Sequence, residues 1–195
     1  MVKRRIRGAR NFHVADVTEN TETNYVATEP KRSEKLVGIS MDVSTESEEV
    51  YSDDETEETM YGASKVTGTV TVNYLTNASK KEFFGGEIDS EGVYYPPAIP
   101  EEKHKAIGFE APIDSLGNLK KVWLYDVLFE MPSEKAETQE GKPKPQTIEI
   151  KFSAYNRKNY NTYKADVDTC DEGVSEEVKN NWFAKVRDKV TSKLI

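Results

Sequence analysis

The sequence predicts a mainly β fold of the α+β class: a β-sandwich with a long acidic hairpin, a short flanking helix and a C-terminal helix. Three observations lead there. Most apolar stretches alternate with polar residues at a period of two, the mark of half-buried antiparallel strands. Clusters of turn-forming residues bound these stretches. Helical features occur only around Phe83-Phe84 and from Val178 onward.

Residues 1–10 are a basic arm carrying Lys3, Arg4, Arg5, Arg7 and Arg10. Three readings stay open for it: a solvated tail, a docking arm for an acidic neighbour, or a nucleic-acid contact. Residues 11–17, with Phe12, Val14 and Val17, form a first short strand. A turn-rich link at 18–24, a second short strand at 25–27 and a charged connection at 30–35 follow.

The chain is organised around residues 36–75. Val37, Ile39, Met41 and Val43 face one way, with Gly38, Ser40, Asp42 and Ser44 facing the other. A returning strand sets Val66, Val70, Val72 and Tyr74 against Thr67, Thr69, Thr71 and Asn73. Between them lie Glu46, Glu48, Glu49, Asp53, Asp54, Glu55, Glu57 and Glu58, with no Lys or Arg between Lys35 and Lys65. So many unpaired carboxylates cost too much to desolvate in a core. The middle of this hairpin therefore projects into water or faces something that tolerates dense negative charge.

Thr76 or Asn77 caps a short helix whose apolar side is Phe83 and Phe84, and Gly85-Gly86 stops it. Residues 87–100 are loop, with a turn at 89–92 and Pro96, Pro97 and Pro100 excluding regular structure. Ile107, Phe109 and Ala111 alternate with Ala106, Gly108 and Glu110 in a strand closed by Pro112, and 115–118 is a turn. Residues 122–131 are the most apolar strand. Trp123, Tyr125, Val127 and Phe129 share one face, while Val122, Leu124 and Leu128 share a second that Asp126 and Glu130 interrupt. That pattern predicts a central strand, buried on most of both faces. A polar excursion at 132–145 precedes a strand at 147–154, with Ile148, Ile150, Phe152 and Ala154 inward. After a polar stretch holding Tyr155, Tyr160 and Tyr163, Ser175 caps a terminal amphipathic helix with Val178, Trp182, Val186 and Val190 at helical spacing beside Phe183.

The domain expectation is a basic arm at 1–10, a β domain at 11–155 and a C-terminal extension at 156–195. For 195 residues, 36% hydrophobic content and a mean hydropathy of −0.74 are lean, as expected of a chain with long excursions outside its core. A net charge of −8 argues against a nucleic-acid-binding surface as the main role. Cys170 is the only cysteine, which excludes an intramolecular disulfide and suits assembly in a reducing compartment. Neither a signal peptide nor a membrane-spanning run is expected.

The search for chemistry returns negatives: no catalytic, cofactor-binding or metal site is expected, and the chain is not read as an enzyme. His13 and His104 lack ligand-spaced partners, and one cysteine cannot build a thiolate zinc site. There is no Gly-rich phosphate loop and no nucleophile elbow. The Asp53-Asp54-Glu55 run lacks the ligand spacing and glycine of a calcium loop, and no apolar pocket in the sequence pattern raises one of its carboxyls for acid catalysis.

The order of Lys35-Leu36-Val37-Gly38, Val50-Tyr51-Ser52-Asp53-Asp54 and the strand at 66–75 resembles the major tail proteins of long-tailed bacteriophages of Gram-positive hosts. So do Gly108-Phe109-Glu110-Ala111, Val122-Trp123-Leu124-Tyr125 running to Phe129, and Pro145-Gln146-Thr147. Phe83-Phe84-Gly85 stands where the family usually has Leu-Leu-Gly. The resemblance covers residues 7–155, and the segment beyond departs from the shorter members. It implies a tail-tube-type β-sandwich that assembles as hexameric rings stacked into a hollow tube. The virion tail is then its location after assembly in the host cytoplasm, and a tape measure protein and a tail terminator are its implied partners. DNA passes through the lumen without specific binding, and no membrane is involved. On that reading Asp42, Glu46, Glu48, Asp53, Asp54, Glu55, Glu57 and Glu58 face the lumen. Lys3, Arg4, Arg5, Arg7 and Arg10, or the 132–145 loop, meet the next ring. The alternatives are a tail terminator or completion protein of the same fold, and a β-sandwich binding module.

Overall fold

The computed structural model describes residues 4–52, 55–134 and 146–189, with the side chains of 46–52, 55–61 and 63 left aside. The fold is mainly β. Its strands are β1 (Arg10–Asn20), β2 (Tyr25–Ala27), β3 (Lys31–Arg32), β4 (Leu36–Ser52) and β5 (Glu55–Val72). Helix α1 (Asn77–Phe84) separates these from β6 (Glu87–Ile88), β7 (Tyr94–Tyr95), β8 (Lys105–Pro112), β9 (Leu119–Phe129), β10 (Ile148–Tyr155) and β11 (Lys164–Asp168), and α2 (Glu176–Asn180) follows. One antiparallel sheet runs β2-β1-β8-β9-β10-β5-β4, with β3 on β1 and β11 on β9, while β6 and β7 pair separately. Among the described residues, no helix is long and apolar enough to cross a membrane.

The alternation expected of each strand decides what it buries. Phe12 and Val14 of β1, Ile107 and Phe109 of β8, Val122 and Leu124 of β9, Ile150 and Phe152 of β10 and Val66, Val70 and Val72 of β5 all enter one core. Leu36, Ile39 and Met41 of β4 pack against the same cluster. Strands from both ends of the sheet thus share one core, and the sheet folds over on itself in the manner of a sandwich. Helix α1 plugs its end. Thr76 Oγ1 accepts from Ser79 N, Gly85 N donates to Lys81 O, and Phe83 and Phe84 are buried as expected.

Two bulges alter the expected faces. In β9, Lys105 pairs with Val127 but Ile107 pairs with Leu124, so one extra residue lies between Leu124 and Val127. Val127 and Phe129 consequently join Val122 and Leu124 in the core, and Tyr125 and Asp126 both turn to the other side. The expected grouping of Trp123 and Tyr125 with Val127 and Phe129 is corrected accordingly. In β4 a register shift between Leu36 and Gly38 leaves Val37 exposed while Leu36 and Ile39 pack inward. Val43 is exposed at the rim of the core, and Tyr74 lies past the end of β5, where Leu75 is buried in its stead.

At Gly68 of β5, neighbours from β4 and β10 leave no room for a side chain. A Cβ there would stand 2.3 Å from the Ser40 carbonyl oxygen and 2.4 Å from Phe152 Cζ. Since a backbone oxygen cannot swing aside, Gly68→Ala is expected to cost about 2–3 kcal/mol. Urea unfolding checks this, and an unchanged midpoint would contradict the packing described.

The outer face of the sheet carries a second apolar cluster of Ala15, Ala106 and Trp123, closed by Trp182 with Val178, Phe183 and Val186 around it. The terminal helix is shorter than its periodicity predicts. It starts at the Ser175 cap but ends at Asn181, whose N–H donates to Glu177 O. Consecutive Asn180 and Asn181 are poor helix formers whose side chains compete for backbone partners. Trp182 and Val186 still cover the sheet, from turns and extended chain; Val190 lies outside the described residues. Strand β11, absent from the sequence-based expectation, joins the extension at 156–195 to the main sheet along β9.

Candidate functional site

The hairpin β4–β5 leaves the body of the protein. Strand β10 covers β5 only from Val66 to Val72, and β4 ends the sheet. From Ser44 to Ser52 and from Glu55 to Lys65 the two strands pair only with each other, through to Ser52 with Glu55. This ribbon extends about 30 Å at 3.3 Å per residue, and both its edges are without a strand partner among the described residues. The ladder thus runs through the acidic stretch that the sequence presented as a polar middle. Asp42 is exposed opposite Thr67. The backbone places Glu48 opposite Met60, Glu58 opposite Val50 and Glu55 opposite Ser52. The side chains of Glu46, Glu48, Glu55, Glu57 and Glu58, and all of Asp53 and Asp54, lie outside the described residues.

The basic arm lies elsewhere. Arg5 N donates to Ile113 O at 2.6 Å and Arg7 N to Pro112 O at 2.8 Å, which lays the arm beside the end of β8. Arg10 Nε donates to Glu110 Oε1 at 3.0 Å, and Glu110 is largely buried. Arg4 stands 3.8 Å from Asp171. Arg10 is thereby committed within the chain, whereas the Arg5 and Arg7 side chains are exposed with no carboxylate partner among the described residues. Lys3 lies outside them. Between the arm, β4 and the core opens an apolar cleft of about 330 Å³ lined by Ile6, Ala9, Val37, Met41 and Phe109.

Two polar knots on the outer face were not legible as such. At the first, the β9 bulge buries Asp126. His104 Nδ1 lies 2.5 Å from its Oδ1, and Asn20 Nδ2 donates to its Oδ2 at 2.7 Å. Asn20 also accepts from Lys158 N at 2.9 Å, so one side chain ties β1, β9 and the turn after β10. At the second, Arg157 is buried with its guanidinium 4.4 Å from the Tyr25 ring, 4.7 Å from Tyr160 and 5.3 Å from Tyr125. Its Nη2 reaches Asp188 at 2.8 Å. Burial raises the phenols of Tyr25 and Tyr125 above the ordinary tyrosine value, and Tyr25 donates to the Tyr125 carbonyl. His13 stacks on Phe183 at 4.5 Å, which gives that histidine a packing role. The one sequence signal for the Arg157 knot was an arginine set among Tyr155, Tyr160 and Tyr163, two of which lie outside it.

Strand β11 is held by charge as well as by its ladder. Lys120 Nζ donates to Asp166 at 2.9 Å, and Lys164 Nζ reaches the same carboxyl at 3.0 Å. Burial acts to raise the Asp166 carboxyl, but the hydrogen bonds from Lys120 and Lys164 outweigh it and hold the group below the ordinary carboxylate range. A depressed carboxyl contributes its full stabilisation above its unfolded value, near 3.9, and loses it as pH falls through the lower folded value. The stability advantage of the native chain over Asp166→Asn should therefore shrink as pH falls below the unfolded value and vanish once pH is below the lower folded one. Urea midpoints across that range test it, and a pH-independent difference would contradict it.

Compared with known proteins, the chain matches no protein-family model and no curated protein.

Proposed function

We propose that this chain is a structural virion protein, the major tail protein that polymerises as stacked hexameric rings into the hollow tube through which phage DNA is ejected. The observation that carries this reading is the β4–β5 ribbon. Beyond Ser44 and Lys65 it pairs with no third strand among the described residues, and an isolated two-stranded ribbon is marginal in water. Its open edges are a liability unless another chain pairs with them. Ring closure through neighbouring copies removes those edges, as closure of a barrel does, and a head-to-tail contact of this kind leaves faces free for stacking.

The acidic composition fits the inner wall of such a tube. Asp42, Glu46, Glu48, Asp53, Asp54, Glu55, Glu57 and Glu58 would line the lumen and repel phosphate over a screening length of about 8 Å. The genome then slides without adhering, the reverse of a basic binding groove. Arg5 and Arg7 of the arm, with their side chains exposed, are the cations best placed for contact with the next ring, whereas Arg10 is already held by Glu110. The 132–145 loop is the other candidate for that contact. The tape measure protein and tail terminator are the proposed partners in the virion.

Electron microscopy of the purified protein at rising concentration tests the reading. Hollow tubes with a regular axial repeat are the expected result. Isolated rings would favour a terminator, and monomers at every concentration a binding module.

A further inference from the structure

Two exposed features of the chain are complementary in shape and in charge. The first is the apolar cleft beside the arm. Ile6 and Val37 line it together with Met41 and Phe109, yet are 67% and 46% exposed. An apolar concavity left this open marks a contact surface. Arg5 and Arg7, on either side of Ile6, have exposed side chains with no carboxylate partner among the described residues. The second feature is the loop before β8. Its base is fixed by the pairing of β6 with β7, and by Gly86 N, which donates to Glu101 Oε1 at 3.2 Å. From that base a run with Pro96, Pro97 and Pro100 holds Ile99 out at 82% exposure, the highest of any large hydrophobic side chain among the described residues. Backbone stiffened by proline loses little freedom on docking. Glu87, Glu91 and Glu102, in and beside this loop, are exposed and meet no cation among the described residues.

One chain cannot bring the two together. The loop enters β8 at Lys105, and α1, tied to the loop through Gly86, sets Phe83 5.0 Å from Phe129 at the end of β9. The cleft is lined by Ala111 at the far end of β8 and Lys120 at the start of β9. Lys105 and Ala111 are about 20 Å apart at 3.3 Å per residue. We propose that the Ile99 loop of one copy seats in the Ile6–Val37 cleft of the next, with the carboxylates of the loop facing Arg5 and Arg7. The contact is head-to-tail, so it repeats from copy to copy. It deepens the proposed stacking of rings and rests on that reading, since it names the surface that the basic arm meets.

Crosslinking with a short bismaleimide tests it, on full-length chains in which Cys170→Ser removes the native thiol. Val37→Cys and Ala98→Cys are made as separate chains and mixed. Interchain dimers are expected from the mixture and from neither variant alone, because the cleft of one copy meets the loop of another. Adding Ile99→Asp to the Ala98→Cys chain sets a carboxylate where the apolar anchor seats, and should cut the dimer yield at least about tenfold. Ile99 is too exposed for that change to disturb the fold. Joint Arg5→Glu and Arg7→Glu substitution in the Val37→Cys chain should also lower the yield, and Glu91→Lys with Glu102→Lys in its partner should restore it. No dimers from the mixture, equal dimers from one variant alone, or full yield with Ile99→Asp overturns the proposal. Electron microscopy of the same samples separates the two readings. Tubes without the crosslink remove this contact and leave the tail-tube reading standing, whereas the crosslink without tubes does the reverse.

Discussion

Trp123→Ala should lower stability by about 4 kcal/mol, the usual cost of emptying a large aromatic site in a core. Trp123 is fully buried, and its ring lies so close over Gly108 that a Cβ there would stand 2.9 Å from three ring carbons. It also donates to the Trp182 carbonyl and meets the Phe183 ring edge-on at 5.8 Å. Alanine therefore removes core volume and also two of the contacts that hold the C-terminal segment. Urea unfolding should show the loss, and limited proteolysis should cut residues 175–189 before global unfolding. A loss below about 1 kcal/mol, or no gain in proteolytic sensitivity, would mean that the segment is held chiefly by the Arg157 knot.

Excising the ribbon should abolish assembly and spare the fold. Thr45 and Ser64 face each other across β4 and β5, and Thr45 Oγ1 lies 2.8 Å from Ser64 Oγ. Replacing residues 46–63 with Asn-Gly closes the hairpin at that pair with a two-residue turn matched to strand twist. The buried residues of these strands, from Val66 onward, stay in place, so the monomer should change by less than about 1 kcal/mol. If rings close through ribbon edges, the shortened chain should sediment as a monomer at concentrations where the full chain forms tubes. Tubes of normal appearance from the shortened chain would remove the basis of the proposed function.

Sequence periodicity served well where a regular strand alternates apolar with polar residues along its length. The alternation of Ile150, Phe152 and Ala154 and the Thr76-to-Gly85 helix stand as read, and the run from Val122 is a buried strand as read, though with its faces regrouped. Bulges defeat such reading, because one added residue reverses every face after it. This is why Asp126 looked like an interruption of a buried face and is instead the centre of a hydrogen-bonded knot on the other one. Strand β11 was missed because Lys164, Asp166 and Asp168 outnumber Ala165 and Val167, and both of its carboxylates draw on Lys120 from a strand distant in sequence. The Arg157 knot draws on Tyr25, Tyr125 and Asp188, residues separated by most of the chain, and no local window contains them. For the candidate site, the sequence supplied the acidic composition and the hairpin, whereas the two open edges follow only from where β10 stops.

The pairing of β1 with β8 has a consequence for how the chain is made. Strand β1 leaves the ribosome early, but its partner follows about ninety residues later, a wait of roughly 5–20 s at typical synthesis rates. During that interval Phe12 and Val14 have no sheet to enter, while β4 and β5 can already zip together through local pairing. The ribbon on which assembly depends is then complete before the body that carries it. Nascent chains in a crowded polysome would present sticky edges to one another ahead of folding, and the dense negative charge on the ribbon would keep those unfinished copies apart.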